Sequence, residues 1–203
     1  MKGFGDTAKL IKFNLENIKF TSAWGISDDN TEWVGEHTIL LSSDTIGGPS
    51  RPSSIIGCTI NSFYRVLELD SSKINKETQL YNLDIRRNSI DKCGTIFYFR
   101  TYGAKKGSGL ITIENNILEQ SNHVFDIDNV FGYLKISSNL LENAGSSSIK
   151  LGNPGNLDLI GNYWEAMKGD FTITGTDYSS VVKINQNSGG YIQATPSSPY
   201  RII

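Results

Sequence analysis

At 203 residues and 38% apolar composition, the chain has enough material for one domain with a real core and too little for two full ones. A net charge of −2 excludes the clustered basic surface that grips nucleic acid, and no run approaches the ~18 apolar residues of a membrane span, so neither a nucleic-acid partner nor membrane insertion is expected. Two cysteines, Cys58 and Cys93, and two histidines, His37 and His123, form no paired ligand motif; they read as structural, with no metal site and no cofactor expected.

Twenty Gly and 18 Asn against 5 Pro, with short β-branched or aromatic stretches between them, predict an all-β chain with many tight turns. In chain order, MKGFGDTAKLIKFNLENIKF lacks the apolar core and cleavage site of a signal peptide. FNLENIKF and HTILLSSD follow a strand pattern loosely. Between them SAWGISDDNTEWVGEH reads as a loop region, where Trp24 and Trp33 are candidates for lining a groove or packing on another subunit.

From residue 56 one block repeats: apolar, spacer, apolar, two spacers, Asn, spacer, apolar. It reads IGCTINSF, LDIRRNSI, ITIENNIL, LKISSNLL, LDLIGNYW and VKINQNSG, with Asn61, Asn88, Asn116, Asn139, Asn162 and Asn187 spaced by 27, 28, 23, 23 and 25 residues. Ile56, Leu83, Ile111, Leu134, Leu157 and Val182 form a first inward column, and Cys58, Ile85, Ile113, Ile136, Leu159 and Ile184 a second, because alternation places both on one strand face. Phe63, Ile90, Leu118, Leu141 and Trp164 form a third, which fails at Gly189. The chain must bend at the Asn to return that residue to the core, so the block predicts strand, sharp turn, strand. Asn suits the turn because it tolerates left-handed dihedrals and can bond its own backbone or a stacked Asn.

Between the blocks lie VLELD, IFYFR, VFDID, SIKLG and FTIT, whose alternation points Leu67, Phe97, Phe125, Ile149 and Phe171 inward, with Leu69, Phe99, Ile127, Leu151 and Ile173 beside them. Three short strands in a repeat of about 25 residues is the period of a parallel β-helix, in which coils stack about 4.8 Å apart. The expected fold is an all-β, right-handed parallel β-helix of about 7 coils of 23–28 residues. It spans 1–190 as one domain and is most regular over 55–190. The remaining 191–203, broken at Pro196 and Pro199, reads as an exit segment.

The blocks ITIENNIL, LKISSNLLEN and LIGNYWEA resemble coils of the pectate-lyase-like superfamily, and GNYWE is similar to coils of bacteriophage tailspikes and capsule depolymerases. The resemblance implies a virion-tail or extracellular protein that binds and depolymerises a bacterial capsule or O-antigen by glycosidic cleavage, working as a homotrimer. A glycoside hydrolase is the first expectation and a polysaccharide lyase the second; the alternative is a non-catalytic shaft of a tail fibre or secreted adhesin. Members usually close the helix ends with caps or extra domains, whereas this pattern starts near the first residues, so a fragment or a partner-capped subunit is expected.

Candidate site residues lie between the inward columns of the second strand set. One outward column reads Glu68, Tyr98, Asp126, Lys150 and Thr172; the next reads Asp70, Arg100, Asp128, Gly152 and Thr174. Aromatic surface beside charged donors and acceptors is what an elongated sugar groove needs. Glu68, Asp126 and Asp128 are the catalytic candidates, and Tyr98, Arg100, Lys150 and Asp70 the substrate-binding ones. Inverting hydrolysis requires carboxylates about 6.5 to 9.5 Å apart. Glu68 and Asp126, two coils apart, lie at roughly 9.6 Å, and Asp126 and Asp128, at i and i+2, at roughly 6.5 Å between Cα atoms. A lyase would instead use Lys150 or Arg100 as base beside a carboxylate or bound Ca²⁺. The bland alternative is a solvated ion-pair stack. A second line, Asp91, Glu119, Glu142 and Glu165, follows each Asn by three residues and reads as strand-end carboxylates taking backbone N–H bonds, or as a cleft rim or weak cation site.

Overall fold

The computed structural model describes residues 13–22, 38–42, 53–70, 82–100, 110–128, 132–142, 149–152, 155–165, 171–174, 181–185 and 201–202. Among the described residues every regular element is a strand, and every strand pairing is parallel. Sheet 1 contains, in order, β1 (Asn14–Glu16), β4 (Ser53–Ile56), β7 (Leu83–Arg86), β10 (Leu110–Glu114), β13 (Gly132–Ser137), β16 (Gly155–Ile160), β19 (Val181–Asn185) and β20 (Arg201–Ile202). Sheet 2 holds β2 (Lys19–Thr21), β5 (Thr59–Asn61), β8 (Ser89–Asp91), β11 (Ile117–Glu119), β14 (Leu140–Glu142) and β17 (Tyr163–Glu165). Sheet 3 holds β3 (Thr38–Ser42), β6 (Arg65–Asp70), β9 (Thr95–Arg100), β12 (His123–Asp128), β15 (Ile149–Gly152) and β18 (Phe171–Thr174). The chain visits sheets 1, 2 and 3 in turn and then returns to sheet 1, an arrangement consistent with a parallel β-helix. Trp24, Trp33, His37, Asn187 and Gly189 lie outside the described residues, as does the exit segment except Arg201–Ile202, which pairs with Val181–Val182.

Alternation builds the core as the repeat requires. Phe97 pairs with Leu67 on one side and Phe125 on the other, and Phe99 stands between Leu69 and Ile127. The Phe97 and Phe125 rings stack with centroids 5.6 Å apart and planes 14° apart, which adds a directional term to the burial of two large apolar side chains. Trp164 is 3% exposed and closes the third column above Leu141, so it is a core residue and no sugar platform.

The turn between sheets 1 and 2 is held by buried amides. In Asn116, Oδ1 accepts from the backbone N–H of Asn88 at 3.0 Å and from Asn88 Nδ2 at 2.9 Å, while Nδ2 donates to the Ile85 carbonyl and to Asn139 Oδ1. The pattern repeats from Asn88 through Asn139 to Asn162, all 1–2% exposed. An amide carries both donors and acceptors, so a stack of identical Asn satisfies itself inside a dry core. One expectation is corrected here. The left-handed residue is not the ladder Asn but the one before it: Arg87, Asn115 and Ser138 at φ 54–56° and Gly161 at 63°, with Asn17 at 54° and Gly57 at 64° in the same place before Ile18 and Cys58. The Asn itself stays outside that region because its side chain must point inward to reach the next rung.

The first copy of the block is also corrected. Ser53, not Ile56, pairs with Leu83, and Ile55, not Cys58, pairs with Ile85. Cys58 therefore occupies the ladder position, its N–H donating to Asn88 Oδ1 at 2.9 Å and its thiol lying 3.6 Å from the Leu15 carbonyl, where other coils place an amide nitrogen. Asn61 is displaced onto the outer face opposite Asp91, and Ile60 takes the third inward column in place of Phe63. Core packing decides the shift, since Ile55 and Ile60 are fully buried and Ile56 is not. Burial pushes the Cys93 thiol up to about 12, so at neutral pH it is an inert core group.

Candidate functional site

Sheet 3 carries the predicted columns in register. Glu68, Tyr98, Asp126, Lys150 and Thr172 pair strand to strand, as do Asp70, Arg100, Asp128, Gly152 and Thr174. Parallel pairing without slip explains this, because a one-residue shift would have sent every member inward. Tyr98 is the centre of a cation cluster: the Arg65 guanidinium lies 3.7 Å from its ring centroid and that of Arg100 4.8 Å away. Arg65 also bonds Glu68 at 2.8 Å. Arg100 Nη2 bonds the Asp126 carboxylate, and Nη1 donates to the carbonyls of Phe99 at 3.1 Å and Asp126 at 3.2 Å.

Glu68 and Asp126 thus stand on either side of Tyr98, each engaged by its own guanidinium. Asp126 and Asp128 share β12 and, with Arg100, the exposed Lys150 and Gly152, border a depression of about 220 Å³. The structure brings together Asp126, Asp128, Arg100 and Lys150; Glu68 sits across the aromatic ring from them, and Asp70 pairs with Arg100 on the far side of the row from Lys150. Arg65 was missed. Its parity with Leu67 places it inward by strict alternation, but Val66 and Leu67 are both fully buried, so alternation is interrupted there and the Arg65 guanidinium reaches the Tyr98 ring. The same adjacent buried pairs, Ile96–Phe97 and Val124–Phe125, recur in β9 and β12, and that doubling was the available sign.

The other two outer faces differ. On sheet 1 charges alternate and answer one another: Arg86 pairs with Asp84, Lys135 bonds Glu114 at 2.9 Å, and Lys183 lies 3.9 Å from Asp158. The Lys135 bond holds Glu114 below the usual carboxylate range, and donation to Asp158 pushes the Tyr133 hydroxyl up to about 12. On sheet 2, Asp91, Glu119, Glu142 and Glu165 stand in register, with the exposed Ile117 and Tyr163 in the neighbouring column. Burial raises Asp91, partly offset by Lys92 and by the Asn61 amide at 3.0 Å; burial first, then Glu142 and Asp91, raises Glu119. Among the described residues no group of three or more His, Cys, Asp or Glu is placed to hold a metal ion, so this column is a stack and no cage.

No family model matches the chain, and no curated protein or solved structure matches it.

Proposed function

We propose that the chain is a right-handed parallel β-helix of about 7 coils, of the kind found in phage tailspikes, whose sheet 3 outer face binds a bacterial surface polysaccharide and cleaves it by inverting hydrolysis. The handedness follows the rule for parallel crossovers. The observation that carries the function is the outer face of sheet 3, where an aromatic ring, three cations and four carboxylates line an open row with a depression at Asp126, Asp128 and Lys150. Near-balanced charge on that face favours hydroxyl-rich sugars over a densely anionic polymer. Asp126 and Asp128 border the depression and are favoured over Glu68 as the hydrolytic pair; Arg100 and Lys150 orient hydroxyls, and Tyr98 with Arg65 and Glu68 supplies a second contact along the polymer. The proposed setting is a homotrimer on a virion tail or outside the cell.

Engagement of Glu68 and Asp126 by guanidinium groups favours a second reading, a non-catalytic adhesive shaft. Incubating the purified chain with a panel of capsular and O-antigen polysaccharides, and following both binding and chain length, separates the two. Hydrolysis predicts shortened polymer and a loss of about 100-fold or more in rate in Asp126→Asn and Asp128→Asn with unchanged circular dichroism. Binding without shortening supports the adhesive shaft. Failure to bind any member of the panel removes the polysaccharide function.

A further inference from the structure

We infer that Gly152 is a specificity-determining position of the sheet 3 site, whose missing side chain lets the Asp128 carboxylate lie across β15 and opens the depression to one neutral, hydroxyl-rich sugar unit of a longer polymer. This assignment rests on the polysaccharide-binding function proposed above. Gly152, the last residue of β15, is paired with Asp128 of β12 in the outward row that also holds Asp70 and Arg100. Its φ lies outside the left-handed region, so backbone freedom is not what keeps a glycine here. Space is. A Cβ built at Gly152 collides with Asp128 Oδ1 and lies 3.0 Å from Asp128 Cγ, with the carboxylate stem continuing at 3.5 Å. Any side chain at 152 therefore displaces the Asp128 carboxylate from its present rotamer and fills the floor it covers.

The dimensions fit a single unit. At about 220 Å³ the depression falls below the roughly 300–1,000 Å³ of pockets that enclose a whole small molecule, and it is open along the sheet. Lys150, two residues before Gly152, offers three donors, and Asp126 and Asp128 offer acceptors for hydroxyl protons. Arg100 and Lys150 balance Asp126 and Asp128, so the lining has no net charge to hold a uronate and suits a neutral unit.

The test uses a thermodynamic cycle and a binding measurement on the intact chain. Gly152→Ala is expected to lower the melting temperature, and the same substitution in an Asp128→Ala background to leave it unchanged, because the collision partner is gone. Equal losses in both backgrounds overturn the contact and with it the inference. Binding is measured with glucan, galactan, poly-N-acetylhexosamine and polyuronate probes alongside the capsular panel. Gly152→Ala is expected to weaken the tightest neutral probe by about tenfold. Glu119→Gln on sheet 2 serves as the control that leaves binding unchanged. A wild type that binds while Gly152→Ala binds equally well overturns the role of Gly152 and spares the proposed function. Tightest binding to polyuronate overturns the substrate class. Absence of binding to every probe overturns the proposed function and this assignment together.

Discussion

Two columns of this molecule stack like residues in register, one in the core and one on an outer face, with opposite electrostatic outcomes. Asn88, Asn116, Asn139 and Asn162 line the turn between sheets 1 and 2, and each amide both donates to and accepts from its neighbours. Asp91, Glu119, Glu142 and Glu165 climb the outer face of sheet 2 at the same spacing of about 4.8 Å, where each charged carboxylate can only accept. Repetition stabilises a column when the side chain complements itself, and strains it when it does not. That is why the amide column tolerates complete burial and Glu119 has its carboxyl pushed up by burial and by its neighbours.

The largest expected effect comes from turning one column into the other. Asn116→Asp removes two donors and leaves an ionised group facing Ile85 O and Asn139 Oδ1, at an expected cost of roughly 3–5 kcal/mol in urea denaturation at neutral pH. Part of that loss should return on acidification, as protonation restores a donor; a change below about 1 kcal/mol would show that the ladder contributes little.

A smaller effect sharpens the comparison at the ladder's end. The Cys58 thiol stands where an amide nitrogen belongs, so Cys58→Asn should add a rung between Leu15 O and Asn88 and raise stability by about 1 kcal/mol. A lowered denaturation midpoint would mean that this coil is too narrow for the amide.

The smallest effect is on the acid column, where Glu119→Gln should raise stability by roughly 0.2–1 kcal/mol by removing like charges directly opposite. Its pH signature has a defined sign. Asp91 and Glu119 bind protons in the folded chain at higher pH than in the unfolded one, so their stabilising contribution is full below the ordinary carboxylate range and is lost as pH rises through their raised values. Lowering pH from 7 to about 5 should therefore raise the wild-type melting temperature, and raise it less in Glu119→Gln. Glu114 acts lower down: its contribution is present above its ordinary value and is lost as pH falls through its lowered one. Identical pH profiles for wild type and Glu119→Gln would remove the column's role.

Much of the architecture was legible because strand alternation is a local property. The inward series Leu67–Phe97–Phe125 and Leu69–Phe99–Ile127–Leu151–Ile173, and both outward columns of sheet 3, are paired as their spacing implied. The acid column was equally visible, since a fixed offset from each Asn carries it around the coil. The first coil misled because Asn61 matches the repeat by letter, while the ladder is entered by whichever residue donates to Asn88, here Cys58. Arg65 was hidden because strict alternation does not allow for two adjacent buried residues, Val66 and Leu67.

By itself the chain of residues determined the strand phase, the faces and the all-β class, because those depend on neighbours one or two positions away. Only the tertiary structure decided which guanidinium engages which carboxylate, that Cys58 takes the place of an amide, and that Asp128 lies over Gly152. Most of those contacts join residues that are distant in sequence and meet only when coils stack, and their geometry depends on rotamers that no spacing encodes.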